Sequence, residues 1–210
     1  MLTEEQIAQN KQRFIDLVSS IQLEGADIPG LLNYVESTDF YTAPASTQYH
    51  CAFKGGLCQH SLNVYYVLSQ LVNEFVPNTY SDDSVKIVAL FHDLSKTDFY
   101  ESMIVNKKIY GPQGTKHDNM GSFDWIAQEA FKVKEGKDRF MAGNHEFNSF
   151  ILLSPYVPLS IEEISSIINH HGGIGDNVPK DLTGIYNRYS LAVLLHVADM
   201  IATYVFERDA

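Results

Sequence analysis

The run Val85-Lys86-Ile87-Val88-Ala89-Leu90-Phe91 is almost wholly apolar, and it ends on His92-Asp93. An imidazole and a carboxylate at the end of a helix that must be buried put two hard-to-bury groups where water is excluded. Leaving a polar group unpaired in such a place costs roughly 2–7 kcal/mol, and a bare charge far more. The fold must bring compensating groups to this point, and a divalent cation held by further ligands is the usual solution. Those ligands have to come from distant segments, so the doublet constrains the whole chain.

Helical periodicity supplies the candidates. Residues 3–23 read as an amphipathic helix behind the capping signal Thr3-Glu4-Glu5, with Ile7, Phe14, Leu17, Val18 and Ile21 on one face. A shorter helix follows over Ile28 to Ser37, and a long one runs from Leu57 to about Phe75, where Pro77 stops it. Asp82 or Asp83 begins the helix that ends at His92-Asp93. Tyr100, Met103, Val105, Ile109 and Tyr110 around Asn106-Lys107-Lys108 suggest a small β-hairpin over 99–110. Helical pattern resumes from about Asn119 to Val133, and again over 143–153, 160–171 and 187–207. The expectation is an all-α helical bundle with a short β-hairpin insertion.

Within this pattern several polar residues face inward. His60 lies on the stripe of Leu57, Val64, Val67, Leu71 and Phe75. His171 follows Ile164, Ile167 and Ile168 at helical spacing, with His170 beside it. Asp199 is the one acid in Ser190-Leu191-Ala192-Val193-Leu194-Leu195-His196-Val197-Ala198-Asp199-Met200-Ile201-Ala202. Any one of these alone is more simply a hydrogen-bonded core residue, the reading kept for His50, His117 and His196. Five inward positions on four helices point instead to one metal centre, and imidazole with carboxylate suits Mn, Fe, Mg, Ni, Co or Zn.

Bulk properties limit the partners. At 210 residues, 45% hydrophobic and 20% charged, the chain reads as one globular domain over 1–210. A net charge of −11 argues against long nucleic acid as a partner, which calls for a basic surface. No apolar stretch reaches the roughly 18 residues of a membrane span, and the start carries no secretory pattern, so a cytoplasmic protein is expected. Cys51 and Cys58 fit no zinc-ribbon spacing and read as reduced thiols.

Four strings together resemble the HD-domain superfamily of metal-dependent phosphohydrolases. They are Gly55-Gly56-Leu57-Cys58-Gln59-His60-Ser61-Leu62-Asn63-Val64, Leu90-Phe91-His92-Asp93-Leu94-Ser95-Lys96, Ile168-Asn169-His170-His171-Gly172-Gly173 and His196-Val197-Ala198-Asp199. The resemblance covers about residues 50–207 and leaves about 1–48 as a helical N-terminal extension. It implies an HD-type bundle in which His60, His92, Asp93 and Asp199 bind one metal. It also implies that His145, in Asn144-His145-Glu146, and one or both of His170 and His171 bind a second, with Asp93 bridging. Hydrolysis of a phosphate ester of a nucleotide or related small molecule by a metal-activated water is then expected. Asp93 and Lys96 are the catalytic candidates, Lys96 neutralising phosphate charge. Gly172, Gly173 and Gly175 would leave room for ligand, and the hairpin with Lys107, Lys108 and Tyr110 would form a lid or specificity wall.

Three other activities share these motifs. The Gly-Gly-Leu and His-His-Gly-Gly strings are also similar to HD-type 3′–5′ exoribonucleases, against which the acidic charge counts. Di-iron HD oxygenases use the same ligand set, and a non-catalytic nucleotide-binding module would have lost ligands that are all present here. Many small helical hydrolases dimerise, so a homodimer is a further expectation.

Overall fold

The structure, a computed structural model, describes residues 1–136, 144–172 and 181–208. Helix α1 (Glu4–Ser19) starts at a capping box between Thr3 and Gln6 and buries Ile7, Phe14 and Val18. Asp27 caps α2 (Ile28–Glu36) by accepting from the Gly30 N–H. Helix α3 (Gly56–Phe75) is the longest, and α4 (Asp82–Phe91), capped by Ser81, runs into a 3₁₀ turn at Leu94–Lys96. After the strands come α5 (His145–Leu153), α6 (Ile161–Ile168), α7 (Leu182–Arg188), α8 (Ser190–Ile201) and a π-helical turn, Ala202–Phe206.

One hydrophobic cluster joins residues of α1, α2, α3, α4, α5, α6 and α8. The N-terminal segment is integral to it. The Phe14 ring lies 4.7 Å from Phe40 and 5.5 Å edge-on from Phe91, the residue before His92. Edge-to-face packing of this kind adds about 0.5–1.5 kcal/mol beyond area burial and fixes the end of α4.

The start of α3 is set by two glycines. Gly55 has φ +83°, a left-handed conformation that disfavours side chains. A Cβ on Gly56 would lie 2.0 Å from the Cys51 carbonyl oxygen, so only glycine lets the loop cross there. Cys51 is itself left-handed at φ 44°, and the crossing sets the neighbouring His50 against α3.

The chain is mostly helical with a β insertion, as expected, but the insertion is larger than the short hairpin expected. Strands β1 (Tyr100–Tyr110), β2 (Lys116–Asp118) and β3 (Gly121–Val133) form an antiparallel sheet in the order β1-β3-β2. The expected hairpin turn at Asn106-Lys107-Lys108 is the middle of β1, and the helix expected over 119–133 is a strand. Phe123, Ile126, Ala127, Ala130 and Phe131 do fall at helical spacing, which disguises the alternation through Phe123, Trp125 and Ala127. An isolated 11-residue strand would leave its backbone unpaired, and β3 pairs the groups on one edge of it from Tyr100↔Val133 to Tyr110↔Phe123. The helix expected over 187–207 is also divided, since α7 and α8 break at Tyr189 and α8 ends in the π-helical turn. Among the described residues, no single helix is long and apolar enough to cross a membrane. Cys51 and Cys58 are buried free thiols.

Candidate metal centre

Helix α3 carries His60 to the centre of the bundle, and α4 delivers His92 and Asp93 from its C-terminal end. Both histidines are fully buried, as is His170 at the end of α6, while Asp93 and Asp199 are 1% and 8% exposed. His60 Nε2 lies 3.3 Å from His92 Nε2 and 3.2 Å from Asp199 Oδ1, and His92 Nε2 lies 3.4 Å from Asp93 Oδ2. Asp93 turns its other oxygen, Oδ1, to a second group, 3.6 Å from both His145 Nε2 and His170 Nε2. His171 stands beside this second group, with Nε2 3.9 Å from Asp199 Oδ2. All seven expected ligands therefore converge, arranged on the two sides of one carboxylate.

These spacings fit cations. Two donors each about 2.1 Å from one ion stand about 3.0 Å apart in octahedral and about 3.4 Å apart in tetrahedral geometry. Asp93 Oδ1 and His170 Nε2 are buried with no hydrogen-bond partner, a costly state that a shared ion would relieve. Nitrogen and carboxylate donors without thiolate suit the metals named above.

Groups behind the ligands fix which nitrogen looks inward. His92 Nδ1 donates to the Ala89 carbonyl at 2.8 Å and His170 Nδ1 to the Ile167 carbonyl at 2.7 Å. The π-helical turn brings Glu207 to His60 Nδ1 at 3.0 Å, and Asn63 donates to the same carboxylate at 2.8 Å. In all three rings Nε2 is left for the centre, the usual arrangement of ligating histidines. His196 donates from Nδ1 to the His170 carbonyl at 2.7 Å, so it braces the site from behind.

The electrostatics differ between the two sides. Burial disfavours a charged His60, but the Glu207 and Asp199 carboxylates outweigh it and push its pKa up to about 10. Burial pushes His145 down to about 3 and also lowers His170, which keeps both as neutral imidazoles. Burial opposes charge on Asp93 and Lys96 alike, yet their contact at 2.7 Å holds the carboxyl below and the ammonium above its ordinary value. Lys96 is buried against Asp93 Oδ2 and is no solvated helix-end cation.

Three participants escape a reading of the sequence. Glu207 follows Asp199 by eight residues with Thr203 between, a spacing that keeps one helical face and gives the only advance signal. Glu146 lies 3.3 Å from His145 Nδ1 and 3.2 Å from His171 Nδ1. His50, set aside as an ordinary core residue, packs its ring 4.6 Å from His60 and groups with His60 and Glu207. His117 is in β2, within 3.4 Å of Ser122 and away from the centre.

A cavity of about 290 Å³ opens over Asp199, His171 and His196, and one of about 430 Å³ reaches Glu207 and Arg208. Tyr49, His50, Thr203 and Tyr204 line both. The lid assigned to the hairpin is not seen at this mouth. Lys108 and Tyr110 bind Asp118 within the sheet, and Lys107 lines a separate cavity with Met1, Leu2 and Phe53. Gly172 makes room for protein, not ligand, since a Cβ there would lie 2.6 Å from the Tyr186 hydroxyl and 2.8 Å from His196 Nε2. Gly173 and Gly175 lie outside the described residues. No protein-family profile, curated protein or solved structure matches the chain.

Proposed function

We propose that the protein is a metal-dependent phosphohydrolase of the HD type that cleaves a phosphate ester of a nucleotide or similar small molecule. The observation that carries this reading is Asp93, whose Oδ2 faces His92 and whose Oδ1 faces His145 and His170. One carboxylate between two histidine groups would help hold divalent ions on both of its sides. Such ions, when bound, acidify water to give a nucleophile at neutral pH and polarise a phosphoryl oxygen.

The chain's own residues do the rest. His60, His92 and Asp199 would hold one ion, and His145, His170 and His171 the other. Glu207 and the two backbone carbonyls orient the rings. Lys96 is anchored on Asp93 and offers its remaining N–H bonds to charge that develops on phosphate. At the mouth, Tyr49 and Tyr204 are 83% and 62% exposed and present flat faces on which a base can stack. Arg208 lines the same opening and suits an anionic substituent. In a chain of net charge −11, this local arrangement has to supply the attraction for an anion.

The test is phosphate release from nucleotides, dinucleotides, cyclic nucleotides and short RNA by the manganese-loaded protein. Activity that disappears in His92→Ala and Asp93→Ala, with the fold retained, supports the proposal. Oxygen consumption by the iron-loaded protein with no phosphate release in any arm would replace it with an oxidative reading. Preferred cleavage of short RNA would make it an exoribonuclease.

A further inference from the structure

Among the described residues, the sheet leaves one long edge without a partner. In the order β1-β3-β2, strand β1 is outermost, and its 11 residues pair one-to-one with β3. At the two ends of this ladder, the Lys134 N–H donates to the Phe99 carbonyl and the Gly111 N–H to the Ser122 carbonyl. The hydrogen-bonded pairs therefore use the odd-numbered residues of β1. Its even-numbered residues turn their N–H and C=O groups away from β3. Among the described residues, no hydrogen bond reaches the outward backbone groups of Ser102, Ile104, Asn106 or Lys108. Met103 and Ile104 on this strand are 37% and 71% exposed. Such an edge is a template for another strand.

The side chains select which strand. In antiparallel pairing of β1 with its own copy, even-numbered residues must oppose even-numbered ones. The register that sets Ile104 opposite Ile104 also sets Glu101 opposite Lys107, Met103 opposite Val105 and Ser102 opposite Asn106, each twice by symmetry. Slipping one step in one direction puts Glu101 opposite Val105. Slipping the other way puts it opposite Ile109 and sets Met103 against Lys107. Both slips lose the two ion pairs, so one register alone is complementary in charge and in apolar contact.

We propose that the free edge of β1 is a homodimer interface, in which two chains pair their β1 strands antiparallel about a two-fold axis at Ile104. The result is one continuous six-stranded sheet, two copies of the three-stranded one joined edge to edge. The contact is isologous, so each chain uses up its edge and assembly stops at two.

Sedimentation equilibrium of the full chain over a concentration series tests this, with a monomer–dimer equilibrium expected. Ile104→Pro removes an outward N–H and leaves the ladder with β3 intact, so it is expected to give a folded monomer. Lys107→Glu places like charges opposite one another twice and is expected to weaken association by about tenfold or more. The combined variant Glu101→Lys, Lys107→Glu, Lys132→Glu reverses every partner and keeps the 101–132 pair within the chain, so it should restore the dimer. A native chain that stays monomeric throughout or forms open-ended oligomers overturns the proposal. So does a dimer indifferent to Ile104→Pro and Lys107→Glu, or one that the combined variant fails to recover.

Discussion

Glu207 accepts a hydrogen bond of 3.0 Å from His60 Nδ1 although 147 residues separate them along the chain. The acid stands just past the π-helical turn that ends α8, and Asn63 holds its other oxygen. Its effect is to turn His60 Nε2 toward Asp199 and His92. Glu207→Gln keeps the shape but loses the anionic acceptor. Outer-shell partners of this kind change metal affinity by about 10–100-fold. A manganese titration followed by electron paramagnetic resonance should show that loss for one ion of the pair, and unchanged affinity for both would refute the positioning role.

The raised His60 pKa carries a sign that can be checked. Its ordinary value is 6.5, and in the metal-free protein it is pushed up to about 10. A group raised on folding stabilises fully below its unfolded value and loses that contribution as pH climbs through the folded one. Resistance of the chelator-treated protein to urea is thus expected to fall between those two pH values. The same proton must leave before Nε2 can ligate, so metal affinity on this side rises over the same window. Affinity that falls with rising pH in calorimetric titrations would contradict the assignment.

Lys96 and Asp93 form a buried pair at 2.7 Å. Removing one partner of such a pair typically costs about 3–5 kcal/mol, because the other charge stays buried without compensation. Lys96→Met should therefore destabilise the metal-free protein strongly, and manganese should recover more stability in the variant than in the native chain. Equal gains in the two proteins, read from urea midpoints, would show that Asp93 does not face the ion.

Gly56 lies where a Cβ would meet the Cys51 carbonyl at 2.0 Å. Gly56→Ala must push the 51–55 loop off the start of α3, at an expected cost of about 1–3 kcal/mol for forced overpacking. Denaturant melts that match the native protein would mean the loop yields freely.

The sequence announces His60 and Asp199 because each sits on a regular apolar stripe, His60 in α3 and Asp199 in α8, whereas His145 is expected from the resemblance alone. It announces helix starts where a side chain caps them, as Thr3 and Ser160 do. It misleads over β3, where helical and strand spacings overlap and only the backbone of β1 decides between them. Glu146 escapes because an acid in the first turn of a helix is ordinary there. His50 escapes because it lies in a loop without periodicity, and its place depends on the Gly56 crossing.

The most direct measurement is anomalous scattering from a crystal grown with manganese. The account predicts two peaks flanking Asp93, one bounded by His60, His92 and Asp199 and the other by His145, His170 and His171. Density with no anomalous peak between these side chains would contradict it.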